Sequence, residues 1–415
     1  MSRSARTWTS LVVAGTLLGA TMAPAHSVNV EGGHTGSNPT ASAEGLAELA
    51  AVAADARSHV RSSTLSLESS AASEECITVG GDEALTVLRY AGENRYETAV
   101  CVSFWAWPDH DDPDSSEFTA DAVVLARGDL FPDALAGGPL AAHAEGPLLL
   151  TPPDGLHPAT AQEIERVLAP GGLVYLLGGT SALSTNVQQQ LTAAGYQTKR
   201  LAGSNRYHTS VVIADELPDT SNFFFATGLN FPDALAAGTA AAALTLGAKY
   251  DQDPETRPFA VLLTADQQMP TAVADFAWDR GFQFGVWTLL TAGGQADAAA
   301  VAEFGTVNLA DRYVGVNRYA TTTEIAEAIY TDVNGELIGL GVGLATGLNF
   351  PDALAASAYL AWFGQPLLIT GSTLSGPTAT FLADHAGEGS FLEAFGGTGA
   401  LSQPVLDAAE AAFGP

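Results

Sequence analysis

Basic residues are scarce in this chain of 415 residues. Lys and Arg together number 16 against 46 Asp and Glu, for a formal net charge of −30 at pH 7. Only two of the 16 are lysines, Lys199 and Lys249. Such a surface repels nucleic acid and anionic membranes at long range, so neither is expected as a partner. It suits a solvated acidic surface, including one adapted to high salt, where screening removes the self-repulsion. There is no loop of alternating acids of the EF-hand kind, so no metal site is expected. The eight histidines are scattered, and none recurs at equivalent positions throughout the repeats described below. HExxH, GxSxG and paired-cysteine ligand patterns are absent, so no catalytic residue and no cofactor is expected. Long hydrophobic runs are also missing after the N-terminus. The stretch from Ala234 to Ala248 is apolar but rich in Ala, Gly and Thr, and it reads as a buried helix rather than a membrane span.

The N-terminus reads as a secretory signal over 1–25. Arg3 and Arg6 precede the apolar segment Leu11–Ala20, and Ala23-Pro24-Ala25 fits a cleavage site. No cysteine stands directly after that site, and the C-terminus carries no apolar tail, so an exported protein without a membrane anchor is expected. The two cysteines are Cys76 and Cys101. An even count in an exported chain points to one disulfide, with buried free thiols as the alternative. Residues 26–76 are rich in Ala, Ser, Gly and Glu and read as a flexible spacer, with a marginal helix near 44–61.

What the chain has in abundance is repetition. Arg89-Tyr-Ala-Gly-Glu-Asn-Arg95-Tyr96-Glu-Thr98 returns as Arg200-Leu-Ala-Gly-Ser-Asn-Arg206-Tyr207-His-Thr209 and as Arg312-Tyr-Val-Gly-Val-Asn-Arg318-Tyr319-Ala-Thr321, in steps of 111 and 112 residues. A second signature follows each copy: Phe131-Pro132-Asp133, Phe231-Pro232-Asp233 and Phe350-Pro351-Asp352, each continuing Ala-Leu-Ala. The period is that of a small domain rather than a solenoid turn. Three homologous domains are expected, at 77–197, 198–310 and 311–415. In each, a short strand opens the order (Leu85–Tyr90, Tyr196–Leu201, Val307–Tyr313), and a glycine turn leads into an Asn-Arg-Tyr helix. Two continuous apolar runs then flank the Phe-Pro-Asp segment and read as buried parallel strands. Strands alternating with helices make each unit an α/β, Rossmann-like domain with a mainly parallel sheet. The acidic segments Trp107–Glu117 and Lys249–Arg257 read as surface insertions.

Two side chains per repeat stand out. Pro at the first helical position followed by Asp suits a helix start, and such turns lie where open α/β sheets bind ligands. Asn94, Asn205 and Asn317 are good N-caps, whereas Arg95, Arg206 and Arg318 oppose the helix dipole and so call for a partner. That partner is either Asp133, Asp233 or Asp352, of the same or a neighbouring repeat, or an anionic ligand gripped by the guanidinium. A Gly-Gly turn closes the unit at Gly178-Gly179 and Gly396-Gly397 within GGTxALS, and it has drifted to Gly293-Gly294-Gln295 in the second copy.

Three copies of RxxGxNRYxT, FPDALA, PLLLT-like strands and GGTxALS, in order over residues 85–415, resemble the bacterial cell-wall-binding repeat 2 family. The resemblance implies three Rossmann-like modules packed as a pseudo-threefold intramolecular trimer. It also implies non-covalent attachment to an anionic cell-wall polysaccharide or teichoic-acid-like polymer. The grooves would lie near the inter-domain clefts, with Arg95, Asp133, Arg206, Asp233, Arg318 and Asp352 as contributors. The expected role is a secreted, wall-bound, non-catalytic protein without an effector domain. Its net charge would make it depend on salt or bridging divalent cations to approach an anionic polymer. A self-assembling surface-layer protein and a wall hydrolase with an unrecognised site are the alternatives.

Overall fold

The computed structural model describes residues 76–81, 84–112, 119–251, 256–285 and 287–415. The signal, the spacer up to residue 75 and parts of both acidic insertions lie outside them. The elements run β1 (Ile77–Gly81), β2 (Thr86–Tyr90), α1 (Arg95–Phe104), β3 (Ala122–Arg127), α2 (Gly137–His143), β4 (Leu148–Thr151), α3 (Pro158–Val167), β5 (Leu173–Leu177) and α4 (Thr185–Ala193). The second stretch is β6 (Gln197–Leu201), α5 (Arg206–Glu216), β7 (Asn222–Thr227), α6 (Pro232–Tyr250), β8 (Phe259–Thr264), α7 (Thr271–Phe284), β9 (Thr288–Ala292) and α8 (Gly294–Phe304). The third is β10 (Asp311–Tyr313), α9 (Arg318–Tyr330), β11 (Gly341–Thr346), α10 (Pro351–Trp362), β12 (Leu367–Thr370), α11 (Gly376–Asp384), β13 (Phe391–Phe395) and α12 (Gln403–Phe413).

Three sheets result, ordered β4-β3-β5-β6, β8-β7-β9-β10 and β12-β11-β13-β2-β1. Every strand pair is parallel except β1 with β2. β7, β8, β9 and β11 are buried along their length and β3 up to Arg127, as parallel strands covered on both faces are. The strand before each Asn-Arg-Tyr helix is present but does not open its own unit. β6 pairs with β5 (Leu173 opposite Gln197), and β10 pairs with β9. β2 crosses to the last sheet and pairs with β13 (Phe391 opposite Thr86). The hydrogen-bonded unit is therefore out of phase with the sequence repeat by one strand. The N-terminal strand completes the C-terminal sheet.

The first Arg of each repeat secures that strand. Arg89, 5% exposed, donates from Nη1 to the carbonyls of Gly396 and Leu401, both at 2.8 Å. Arg200 grips Gly178 and Gly179 in the same way, at 2.9 and 3.2 Å. In the drifted second copy α8 starts directly after the turn, and Arg312 instead forks Asp297 at 2.6 and 2.7 Å. Cys76 and Cys101 form a disulfide that ties the start of β1 to α1.

The three sheets meet through the helices that follow Phe-Pro-Asp. α2, α6 and α10 touch pairwise. Their shared centre needs small residues: a Cβ on Gly138 would lie 3.0 Å from Ser357 Oγ and 3.1 Å from the Gly238 carbonyl. Small side chains let backbones approach, which is why these segments are dense in Ala and Gly. The Phe of each signature joins a ring of three, with Phe131–Phe231, Phe131–Phe350 and Phe231–Phe350 centroids 5.6, 5.7 and 6.0 Å apart. Each such pair contributes about 0.5–1.5 kcal/mol beyond its buried area. α6 is buried on all sides up to Gly247, as its sequence suggested. No helix among the described residues is long and apolar enough to cross a membrane.

The Phe-Pro-Asp segments start helices at Pro232 and Pro351, each with Asp in the first turn. The first copy departs from that expectation. Residues 132–136 form turns, with Ala134 N bonded to Phe131 O and Gly137 N to Ala134 O, and α2 begins only at Gly137. Gly137 and Gly138 follow where the second copy has Ala237-Gly238 and the third Ala356-Ser357, and each Gly for Ala disfavours helix by about 1 kcal/mol.

Candidate functional site

Ligands of open α/β sheets bind beyond the carboxyl ends of the strands, where the chain order switches direction. In each sheet the switch falls beside the first and third strands of the unit. The Phe-Pro-Asp turn follows the first, and the Gly-Gly turn follows the third. The two turns touch. A Cβ on Gly178, Gly293 or Gly396 would lie 2.7, 2.2 or 2.5 Å from Oδ2 of Asp133, Asp233 or Asp352. These glycines also have φ of +92°, +83° and +106°, so glycine is required twice over.

The fourth strand brings the Asn-Arg-Tyr turn to the same edge. Asn94 and Asn317 each cap two backbone amides of their helices, and Asn205 caps the amide of His208. The glycine of RxxGxNRY lies directly on the helix start: a Cβ on Gly92, Gly203 or Gly315 would come within 2.5 Å of that first turn. Thr98 and Thr209 accept from the amides of Gly92 and Gly203 at 3.2 and 3.1 Å.

The arginines do not form the direct bridges to aspartate that the sequence allows. Among the described residues no ion pair joins Arg95, Arg206 or Arg318 to Asp133, Asp233 or Asp352. Instead each Nη1 donates to the carbonyl of the glycine after the next central strand: Arg95 to Gly128 at 2.5 Å, Arg206 to Gly228 at 2.6 Å and Arg318 to Gly347 at 3.0 Å. Those glycines are crowded by the adjacent tyrosine, since a Cβ on Gly128, Gly228 or Gly347 would meet Tyr96, Tyr207 or Tyr319 at 2.6, 3.0 and 3.0 Å. Sequence reading missed them, although a glycine in that place in all three copies was the available signal.

The pairing across repeats is nonetheless consistent. Arg95 is the cation acting on Asp352, and Arg318 the one acting on Asp233. Arg206 sits with its guanidinium 6.0 Å from the centroid of Phe131, two residues from Asp133. Burial pushes the Asp352 carboxyl up to about 6 against the pull of Arg95. Burial also raises Asp233, against Arg318 and a hydrogen bond from Thr321, and its Oδ1 is buried without a partner.

At the third sheet the three turns enclose a cleft of about 250 Å³. It is lined by Gly92, Glu93, Asn94, Arg95 and Thr98 on one side, by Asn349, Pro351 and Asp352 on another, and by Gly397, Gly399 and Ala400. One half-buried guanidinium, one carboxyl with raised affinity for protons and a glycine turn can together hold a polar, anion-bearing ligand. No group of His, Cys, Asp and Glu among the described residues is placed to hold a metal ion.

The chain matches the family "Cell wall binding domain 2 (CWB2)" over residues 89–188, 200–273 and 312–406. It is 27% identical over 291 residues to the N-acetylmuramoyl-L-alanine amidase LytC of Bacillus subtilis, covering 70% of this chain and 51% of that protein. It is 34% identical over 165 residues to the amidase enhancer of the same bacterium, covering 40% of this chain and 22% of the relative. The chain thus spans about half, or less, of the length of these curated relatives. Among solved structures, Cwp8 from Clostridium difficile superposes with a TM-score of 0.65 at 22% identity, over 79% of this chain and 51% of that one. Cwp6 from the same organism gives 0.63 at 20% identity, over 82% and 51%. These likenesses carry the fold. The three matched segments cover more than half of the sequence, and the chain belongs to the cell wall binding domain 2 family, whose place is the bacterial cell wall surface.

Proposed function

We propose that this protein attaches non-covalently to the bacterial cell wall by binding an anionic glycopolymer, and that it does not turn that polymer over. The supporting observation is the cleft at the third sheet, where Arg95 and Asp352 face one space beside a glycine turn. Arg95 is held by the Gly128 carbonyl, and its other N–H groups have no protein acceptor among the described residues. A guanidinium in that position suits a phosphate or carboxylate on a sugar chain. Asp352, whose carboxyl is raised to about 6 by burial, takes up a proton beside such a ligand more readily than an ordinary carboxylate does. Arg95 and Asp352 are the proposed contacts at this cleft; Arg206 with Asp133 and Arg318 with Asp233 are their counterparts at the other two sheets, and the three modules are arranged about a pseudo-threefold axis through α2, α6 and α10. The domain limits 77–197, 198–310 and 311–415 describe the repeated sequence unit in this reading. The acidic net charge makes approach to an anionic polymer unfavourable at low salt. Moderate salt or bridging divalent cations should therefore strengthen binding.

The test is co-sedimentation of the mature protein with walls of its own bacterium, native and stripped of secondary glycopolymers by mild acid. Sedimentation with native walls alone is expected. Equal sedimentation with both, or release of wall fragments, would overturn the proposal. Ordered sheets formed by the protein without walls would favour the surface-layer alternative.

A further inference from the structure

The three carboxyl edges share one plan, but their turns are bridged differently. In the first sheet Arg127 stands where the other copies have Thr227 and Thr346. Its guanidinium donates twice to Asp129, at 2.7 Å each, and once to the Ser181 carbonyl at 3.1 Å. Ser181 occupies the turn position of Gly399, which lines the open cleft of the third sheet. Arg127 thereby ties the end of β3 to the Gly-Gly turn, and the nearby charge of Asp133 adds to its hold.

The second sheet reaches the same result differently. Asn230 Nδ2 donates to Gln295 Oε1 at 3.2 Å, which joins the Phe-Pro-Asp turn to the Gly-Gly turn. In the third sheet the equivalent Asn349 accepts from the Phe350 amide. Among the described residues no side chain spans from its turn to Gly397, Gly399 or Ala400. Two of those three have no side chain to offer, and the cleft remains.

We infer that the chain carries one open glycopolymer site, the cleft of Arg95 and Asp352. Arg127 and Gln295 close its two counterparts by bridging their turns. This inference rests on the wall-binding reading. One site per chain gains nothing from the linkage of three modules. A ligand entering either closed edge must first break the bridge and strand its polar groups.

The experiment is equilibrium binding of the full mature protein to glycopolymer fragments released by mild acid from walls of its own bacterium, cut to the shortest length that binds. One fragment per chain is expected. Arg95→Ala should weaken binding at least tenfold, whereas Arg206→Ala and Arg318→Ala should each change it less than twofold. The double variant Arg127→Thr with Ser181→Gly recreates the third-sheet pattern in the first and should raise the stoichiometry to two. Thermal melts identify any variant that fails to fold. Three fragments per wild-type chain, or equal losses from the three Arg variants, would overturn the inference while wall binding stood. Wild-type protein that sediments with no wall would remove both.

Discussion

Asp352→Asn should stabilise the protein, and the gain should grow with pH. Burial holds the folded-state pKa at about 6. In the unfolded chain an aspartate titrates near ~3.9. Well below pH 4 the group is protonated in both states and costs nothing. As pH rises from about 4 through 6, the unfolded chain ionises more readily than the folded one, and stability is lost. A gap of about two units at ~1.36 kcal/mol each amounts to roughly 3 kcal/mol at pH 7.5. Partial exposure trims that to on the order of 2–3 kcal/mol. Asn keeps the shape and removes the charge, so the difference between variant and wild type should be small at pH 4 and vanish below it. By pH 7.5 it should reach that full value. Comparison at each pH cancels the general effect of titrating the other acidic groups. Urea unfolding followed by tryptophan fluorescence is the assay. In thermal melts the variant should gain roughly 4 °C at pH 7.5, from the usual unfolding entropy per residue. A difference that stays constant with pH, or that shrinks as pH rises, would show that Asp352 is not a buried carboxyl opposed by its surroundings.

Three further outcomes are expected. Gly138→Leu should destabilise by about 1–3 kcal/mol or more through overpacking of the three-helix centre, with Gly138→Ala milder, as thermal melts would register. Replacing Cys76 and Cys101 by Ser opens a loop with a sequence separation of 25 residues and should cost about 3 kcal/mol by loop-closure entropy, read as a lower urea midpoint. His385 is buried between Glu388 and Glu327, at 2.8 and 3.0 Å. Burial acts to lower its pKa, but the two carboxylates outweigh it and the net shift is upward. Its contribution should be complete below about pH 6.5 and lost as pH rises through the higher folded value. His385→Gln should remove that part of the pH profile, and an unchanged profile would refute the assignment.

The repeated sequence by itself determined the local chemistry. Asparagine caps, buried apolar strands, proline helix starts in two copies and the small-residue helices all follow from backbone geometry and hydrophobic pattern, which act within a few residues. The identity of the six recurring Arg and Asp side chains was equally plain. Only the tertiary structure decided which of them meet. The sequence unit begins at the strand before Asn-Arg-Tyr, but hydrogen bonding assigns that strand to the preceding sheet, and β2 travels from the N-terminus to complete the last sheet beside β13. Register between distant strands is set by long-range pairing, which a periodic sequence leaves open because each copy offers the same edge. For the same reason Arg95 faces Asp352 rather than Asp133, and the arginines end on glycine carbonyls rather than on carboxylates. The bridges made by Arg127 and Gln295 were present in the sequence as departures from the repeat. Their meaning came only from the few ångströms that separate the turns they join.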